Sequence, residues 1–381
     1  MKRVGLICPE IRFDNAAFEP AIHLFRASGE NTGNFAFVRA LDSHLRPYVT
    51  PFPWFAAPEK VREHCDILVM ACANQLGAHS DLGSLADWFE RVGLPIVAVG
   101  LGAQSRGQDY DVQLQAGTRR WLDVIASHTP SSAPNILVRG EFSRRQVELA
   151  GHPERAAIAG CPSNFLNPDP NLGCRIELMW GRPIRRLAVA GGYFQWPSVK
   201  EDERRLIQLM NNVDTKKYVV QAELEMMQLA REEFSEILPD VLERIRDYLA
   251  PSLSMEEFRL WVEKYCIVYP DASSWMFALS KFDLVIGARF HGVMLGIQAG
   301  IPGIVVAHDS RTEEMCQTTL VPFCHAGAVE PTSSIEALWQ LTIFDGAMYD
   351  ASRRKMFKIY KAHLREAGIG VCSSFDALSM E

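Results

Sequence analysis

The chain has 381 residues, 48% of them apolar and 22% charged, with a formal charge of −7. That length exceeds what one hydrophobic core usually serves, so two domains of ordinary globular composition are expected. The acidic balance excludes a general nucleic-acid binder while allowing a local basic pocket. Nine cysteines without a CxxC pair suit reduced, mostly buried thiols rather than a disulfide framework.

In the first half, short apolar runs alternate with helical patterns. Residues 3–8 are predicted as a strand ending at Pro9, 66–71 and 94–100 as two more, and 136–139 and 156–159 as brief ones. Helices are expected at 35–45, 82–91 and 142–150, the last stopped by Gly151 and Pro153. β-rich runs separated by helices favour a parallel sheet covered on both faces. The stretch 161–173 is rich in Pro and Asn, and the domain boundary is placed there. The same grammar restarts with strands at 186–190, 217–221, 266–269, 284–286 and 303–308. Helices are expected near 223–234, 255–264 and 274–280 and through Ala299. A charged amphipathic helix at 351–366 is expected across the boundary. The predicted fold is α/β, with two facing Rossmann-like domains at 1–173 and 174–350 and a tail at 351–381. Ligands are expected at the carboxyl ends of the strands.

Residues 283–302 carry the most chemical information. The run Leu284-Val285-Ile286 stops at Gly287, then Arg289 and His291 precede Gly292 and a long apolar stretch. A buried strand there delivers two basic side chains beside a helix N-terminus, whose amides and dipole favour an anion. Arg289 can clamp that anion and His291 can move a proton; the alternatives are a carboxylate partner for Arg289 and a turn-capping role for His291.

Other candidates follow predicted strands. The turn around Gly33 and Asn34 precedes a helix that Thr32 or Asn34 can cap, and reads equally as a ligand loop or a surface turn. Gly102 and Gln104 suit close backbone approach and a sugar hydroxyl. Arg139 and Ser143 repeat the arrangement around Arg289, with pairing of Arg139 to Glu141 or another carboxylate as the alternative. Gly192 and Tyr193 offer a close approach and an aromatic platform. His308, Arg311 and Glu313 can meet substrate hydroxyls, or form a solvated helix start capped by Asp309 or Ser310. No HExxH, GxSxG or GxxxxGK[ST] pattern occurs, which removes the commonest zinc, hydrolase and ATPase readings.

The chain resembles the polysaccharide pyruvyl transferase family. The resemblance rests on Gly287-Ala288-Arg289-Phe290-His291-Gly292 followed by Gly300-Ile301-Pro302, an R-x-H-G and later G-x-P pattern, with weaker similarities from Gly29 to Glu314. It implies a GT-B-like fold and metal-independent transfer of pyruvate from phosphoenolpyruvate, as a ketal, to a sugar of a polysaccharide or lipid-linked glycan. It puts Arg289 at the donor's anionic groups and His291 at the catalytic centre. No cofactor is implied beyond the donor substrate. The second half becomes the donor side and the first half the acceptor side. Departures occur at Asn34, where an aspartate is common, at Ala71-Cys72-Ala73-Asn74, at Cys161 in place of an acid, and at Arg311 where a lysine-bearing segment is common. A glycosyltransferase using a nucleotide sugar, or a noncatalytic glycan- or anion-binding protein, are the alternatives. An N-terminal apolar run too short for a signal peptide, and no stretch of about 18 apolar residues, lead to a cytoplasmic expectation, with contact at the inner membrane face left open.

Overall fold

The computed structural model describes residues 2–105, 107–108, 111–330 and 334–380. Among these residues two six-stranded parallel sheets form. The first contains β1 (Val4–Ile7), β2 (Val49–Phe52), β3 (Ile67–Ala71), β4 (Ile96–Leu101), β5 (Ile136–Val138) and β6 (Ala156–Ile158), in the order β2-β1-β3-β4-β5-β6. The second contains β7 (Arg186–Ala190), β8 (Thr215–Val220), β9 (Cys266–Val268), β10 (Leu284–Gly287), β11 (Gly303–Ala307) and β12 (Phe323–His325), in the order β12-β11-β10-β7-β8-β9. Central strands such as β3, β10 and β11 are buried at every residue, as expected of sheets sandwiched between helices. Reading the second sheet from β9 gives the doubly wound order, which reverses between β7 and β10.

The two sheets face each other through the loops at their carboxyl ends, a GT-B-like arrangement of Rossmann-like domains. The turn before helix Asn34–Leu45 reaches across the cleft: Thr32 donates from its backbone to the Gln221 carbonyl at 2.6 Å, and Asn31 bridges Ala222. After β4, the Ser105 amide donates to Ser310 Oγ at 3.1 Å, and that hydroxyl donates back to the Ser105 carbonyl at 3.0 Å.

Helix Gly346–Glu366 begins five residues before the predicted start at Ala351, because Asp345 caps it by accepting from the Met348 amide. It latches onto the connection between the sheets. Arg353, wholly buried, donates to the carbonyls of Asn164, Asp169 and Asn167, while Asp350 accepts from the amides of Gly173 and Cys174. Its apolar face then joins the first domain's core, where Phe357, Tyr360 and Leu364 pack with Phe37, Leu41 and Phe165. No helix is long and apolar enough to cross a membrane among the described residues.

Candidate active site

The site is built where β10 ends. Gly287 lies so close to β7 that a Cβ there would sit 2.1 Å from the Ala190 carbonyl oxygen, so no other residue fits. The chain then turns through Arg289, the N-cap of helix Phe290–Gln298, all nine residues of which are buried. This geometry sends Arg289 and His291 in different directions.

His291 points toward the first domain. Its Nε2 lies 3.5 Å from Cys161 Sγ, just past β6, and its ring is 5.5 Å from the Phe37 ring. Phe37 also carries Arg139 on its ring, at 5.9 Å. His291 is 8% exposed, and burial, with Arg139 and then Arg311 nearby, pushes its pKa well below the usual imidazole value. The ring is therefore neutral at pH 7.

Arg139 is 1% exposed, and its hydrogen bonds go to neutral acceptors: Nε to the Gly100 carbonyl at 2.8 Å, Nη2 to the Cys72 carbonyl at 3.2 Å, and Nη1 to Met315 Sδ at 3.3 Å. The alternative of an ion pair with Glu141 does not hold, since Glu141 is taken by Arg144. Burial lowers the Arg139 pKa, with nearby Glu314 opposing that shift without hydrogen-bonding the guanidinium. Gly102 makes room for it: a Cβ there would come 2.9 Å from Arg139 Cδ.

Arg311 completes the group from the helix Ser310–Thr319. Asp309, not Ser310, caps that helix through the Thr312 amide at 2.7 Å. Arg311 Nη2 stands 3.7 Å from Asp309, and its Nε is buried with no hydrogen-bond partner among the described residues.

Arg289 turns the other way, into the second domain. Its guanidinium lies 4.2 Å over the Trp196 ring and is paired to Glu223, the carboxylate alternative raised by its sequence setting. His308 packs at 4.5 Å on the same tryptophan, and burial lowers its pKa. Tyr193 sits edge-on to Phe194 and Trp196.

Several predicted site residues are committed to structure. Ser143 is wholly buried; its amide and hydroxyl donate to Glu314, each at 2.7 Å, and its oxygen accepts from the Ala103 amide. It thus belongs to the joint between domains. The Gly192 amide donates to Glu203, leaving no free donor there. The Gly33 amide donates to Asn31 Oδ1. Neither Thr32 nor Asn34 caps the helix, whose N-cap is Gly33; the Asn34 amide group instead donates to the Ser28 and Gly29 carbonyls and holds the turn. Gln104 reaches the second domain at Asp309, 3.3 Å away. Glu313 accepts from Gln317 on its own helix. Gly292 lets its helix approach β7, since a Cβ would meet Ala190 Cβ at 2.9 Å.

Sequence reasoning missed Glu223, Trp196 and Phe37. The first two follow β8 and β7, and position just past a strand's carboxyl end was the available signal. Among the described residues no group of three or more His, Cys, Asp or Glu side chains is arranged to hold a metal ion.

A profile of polysaccharide pyruvyl transferases matches residues 8–310. The chain belongs to the polysaccharide pyruvyl transferase family. It is an enzyme of pyruvyl transfer, with phosphoenolpyruvate as donor and a sugar or glycan as acceptor. Comparison with curated proteins gave no match. Solved structures similar to it include the Staphylococcus aureus MnaA–UDP complex, with 9% identity, TM-score 0.44, 99% of this chain and 94% of that one covered. Another is the Neisseria meningitidis UDP-GlcNAc 2-epimerase bound to UDP-GlcNAc, with 10% identity, TM-score 0.42 and coverage of 98% and 97%.

Proposed function

We propose that phosphoenolpyruvate binds between Arg139, Arg311 and Arg289, with His291 as the proton-transfer group. The observation that carries this is Arg139, a fully buried guanidinium held by neutral acceptors beside a neutral imidazole. A trianionic donor supplies the missing countercharge. Arg139 and Arg311 take the phosphate, and the Arg289 fork takes the carboxylate.

The reaction follows from this placement. Neutral His291 accepts the proton of an acceptor hydroxyl as its oxygen adds to C2 of the enol phosphate. The imidazolium returns a proton to C3, converting the methylene to a methyl group. The tetrahedral centre then carries carboxylate, methyl, phosphate and sugar oxygen. A second hydroxyl of the same sugar replaces the phosphate and closes the ketal, passing its proton to the departing phosphate, which leaves as hydrogen phosphate. The arginines stabilise the departing phosphate. Donor binding also lifts the depression that Arg139 and Arg311 impose on His291, which readies it to hold the proton between the two steps.

The acceptor is assigned to the first domain, residues 1–173, and the donor mainly to 174–350, with the tail 351–381 tying them together. A cavity of about 460 Å³ at the carboxyl ends of β1 and β2 supports this, lined by Trp54, Phe52 and prolines and rimmed by Glu10, Arg12 and Arg26. Hydroxyls both donate to carboxylates and accept from guanidinium groups, so a mixed-sign rim with an aromatic wall suits a sugar. The enzyme is assigned to the cytoplasm, where phosphoenolpyruvate is available, meeting lipid-linked acceptors at the inner membrane face.

Thermal unfolding with added ligands tests the donor. Phosphoenolpyruvate should raise the midpoint, by mass action on the folded state, whereas UDP, GDP and CMP should not. Preferential stabilisation by a nucleotide overturns the assignment.

A further inference from the structure

Glu223 is a cleft residue that takes no part in the transfer scheme. It sits just past β8 with φ +59°, a left-handed conformation uncommon for a residue bearing a Cβ. That backbone carries its carboxylate to Arg289, where both oxygens accept from a single nitrogen, Nη2, at 2.5 and 2.7 Å. The guanidinium is fixed on its other side by the Trp196 ring. The contact is incomplete. Arg289 is only 6% exposed, yet its Nε has no hydrogen-bond partner among the described residues. A carboxylate on one nitrogen of a fork that can engage two oxygens in parallel leaves the better geometry unused.

We propose that Glu223 is a resident stand-in for the donor's carboxylate, holding Arg289 until phosphoenolpyruvate takes the Nε–Nη2 edge and Glu223 withdraws. This rests on the cleft being the donor site. The stand-in keeps Arg289 oriented and countercharged between turnovers. It also makes the site selective, because displacement requires a ligand that brings its own carboxylate. Inorganic phosphate, the released product, has none, so Glu223 returns as phosphate leaves. The apparent donor affinity is lowered by the fraction of molecules in which Arg289 is free.

The test is calorimetric titration of phosphoenolpyruvate and of inorganic phosphate into wild type, Glu223→Gln and Glu223→Gly. Glycine suits the backbone at this position, which offsets part of the cost of an unpaired Arg289, and the circular dichroism of this variant should match wild type. Both variants should bind phosphoenolpyruvate roughly 10-fold more tightly, as for a competent fraction near a tenth. Phosphate affinity should stay the same. Unchanged or weaker phosphoenolpyruvate binding in both variants overturns the inference alone, as does equal tightening toward phosphate. A wild type that binds no phosphoenolpyruvate overturns the donor-site reading and the inference with it.

Discussion

His291 and Arg139 are two buried bases with opposite needs. The imidazole is held neutral, while the guanidinium, charged at any ordinary pH, lacks a carboxylate among its hydrogen-bond partners. Replacing His291 with Asn should leave phosphoenolpyruvate binding intact and reduce turnover roughly 10²–10⁴-fold, the usual size of a general acid–base contribution. Titration of donor alongside steady-state kinetics separates the two effects; normal turnover at saturating donor removes His291 from the chemistry. The depressed pKa also fixes the sign of the pH profile. The free enzyme keeps a proton-accepting imidazole as pH falls past the ordinary histidine value, so the acid limb of kcat/KM lies below about 6.5. The bound donor offsets the arginines, so the limb of kcat should lie at higher pH. An acid limb of kcat/KM above that of kcat contradicts this electrostatic account.

At the scale of elements, glycines and caps decide how closely the parts approach. Gly102→Ala puts a methyl group against Arg139 Cδ and within 3.2 Å of the Ala73 carbonyl oxygen. The arginine is wholly enclosed, so it moves out of register; a loss of about 1–3 kcal/mol in stability is expected, with weaker donor binding. Chemical denaturation and donor titration read both, and unchanged donor affinity would disconnect Arg139 from the site. The sequence exposed some elements better than others for physical reasons. Helices Met255–Tyr265 and Ala272–Leu279 are announced by side-chain caps, Ser254 with Glu257 and Asp271. Helices Ala116–Ser127, Lys200–Met210 and Pro239–Leu249 have no side-chain cap, and the chain pattern alone did not reveal them. Strand β2 is an edge strand with Pro51 inside it and two exposed residues, so neither its apolarity nor its composition marks it as a strand. The strand end at Gly287 and the basic residues after it were legible because burial and chemistry coincide within ten residues. The partnership of Arg289 with Glu223 spans 66 positions and is set by sheet order, which local pattern does not encode.

Across the whole molecule, His44 ties the first domain to the tail. Its ring nitrogens lie 3.2 Å from the Tyr360 hydroxyl and 3.1 Å from the Phe165 carbonyl, and burial lowers its pKa to about 4. A histidine depressed in the folded state contributes stability that is complete above its unfolded pKa near 6.5. That contribution is lost as pH falls from there to about 4, a span of roughly 3 kcal/mol. Urea unfolding between pH 7.5 and 4 should show this decline, and His44→Gln should flatten part of it. Arg353→Met should cost roughly 3 kcal/mol at any pH, because it strands three buried carbonyl acceptors between the domains. A loss under 1 kcal/mol in denaturant melts contradicts that role.

The return of helix Gly346–Glu366 to the first domain has a consequence for synthesis. The first sheet is complete by Ile158, yet Phe357, Tyr360, Leu364 and Phe375 belong to its core and leave the ribosome long after it. During translation the first domain therefore waits, with the apolar surface of Phe37, Leu41 and Phe165 uncovered, while some 200 further residues are made. The second domain, whose sheet closes at His325, can fold before the first is sealed. A purified chain ending at residue 345 should accordingly protect the second sheet from protease while the first remains open to cleavage, and a chain through residue 381 should close both.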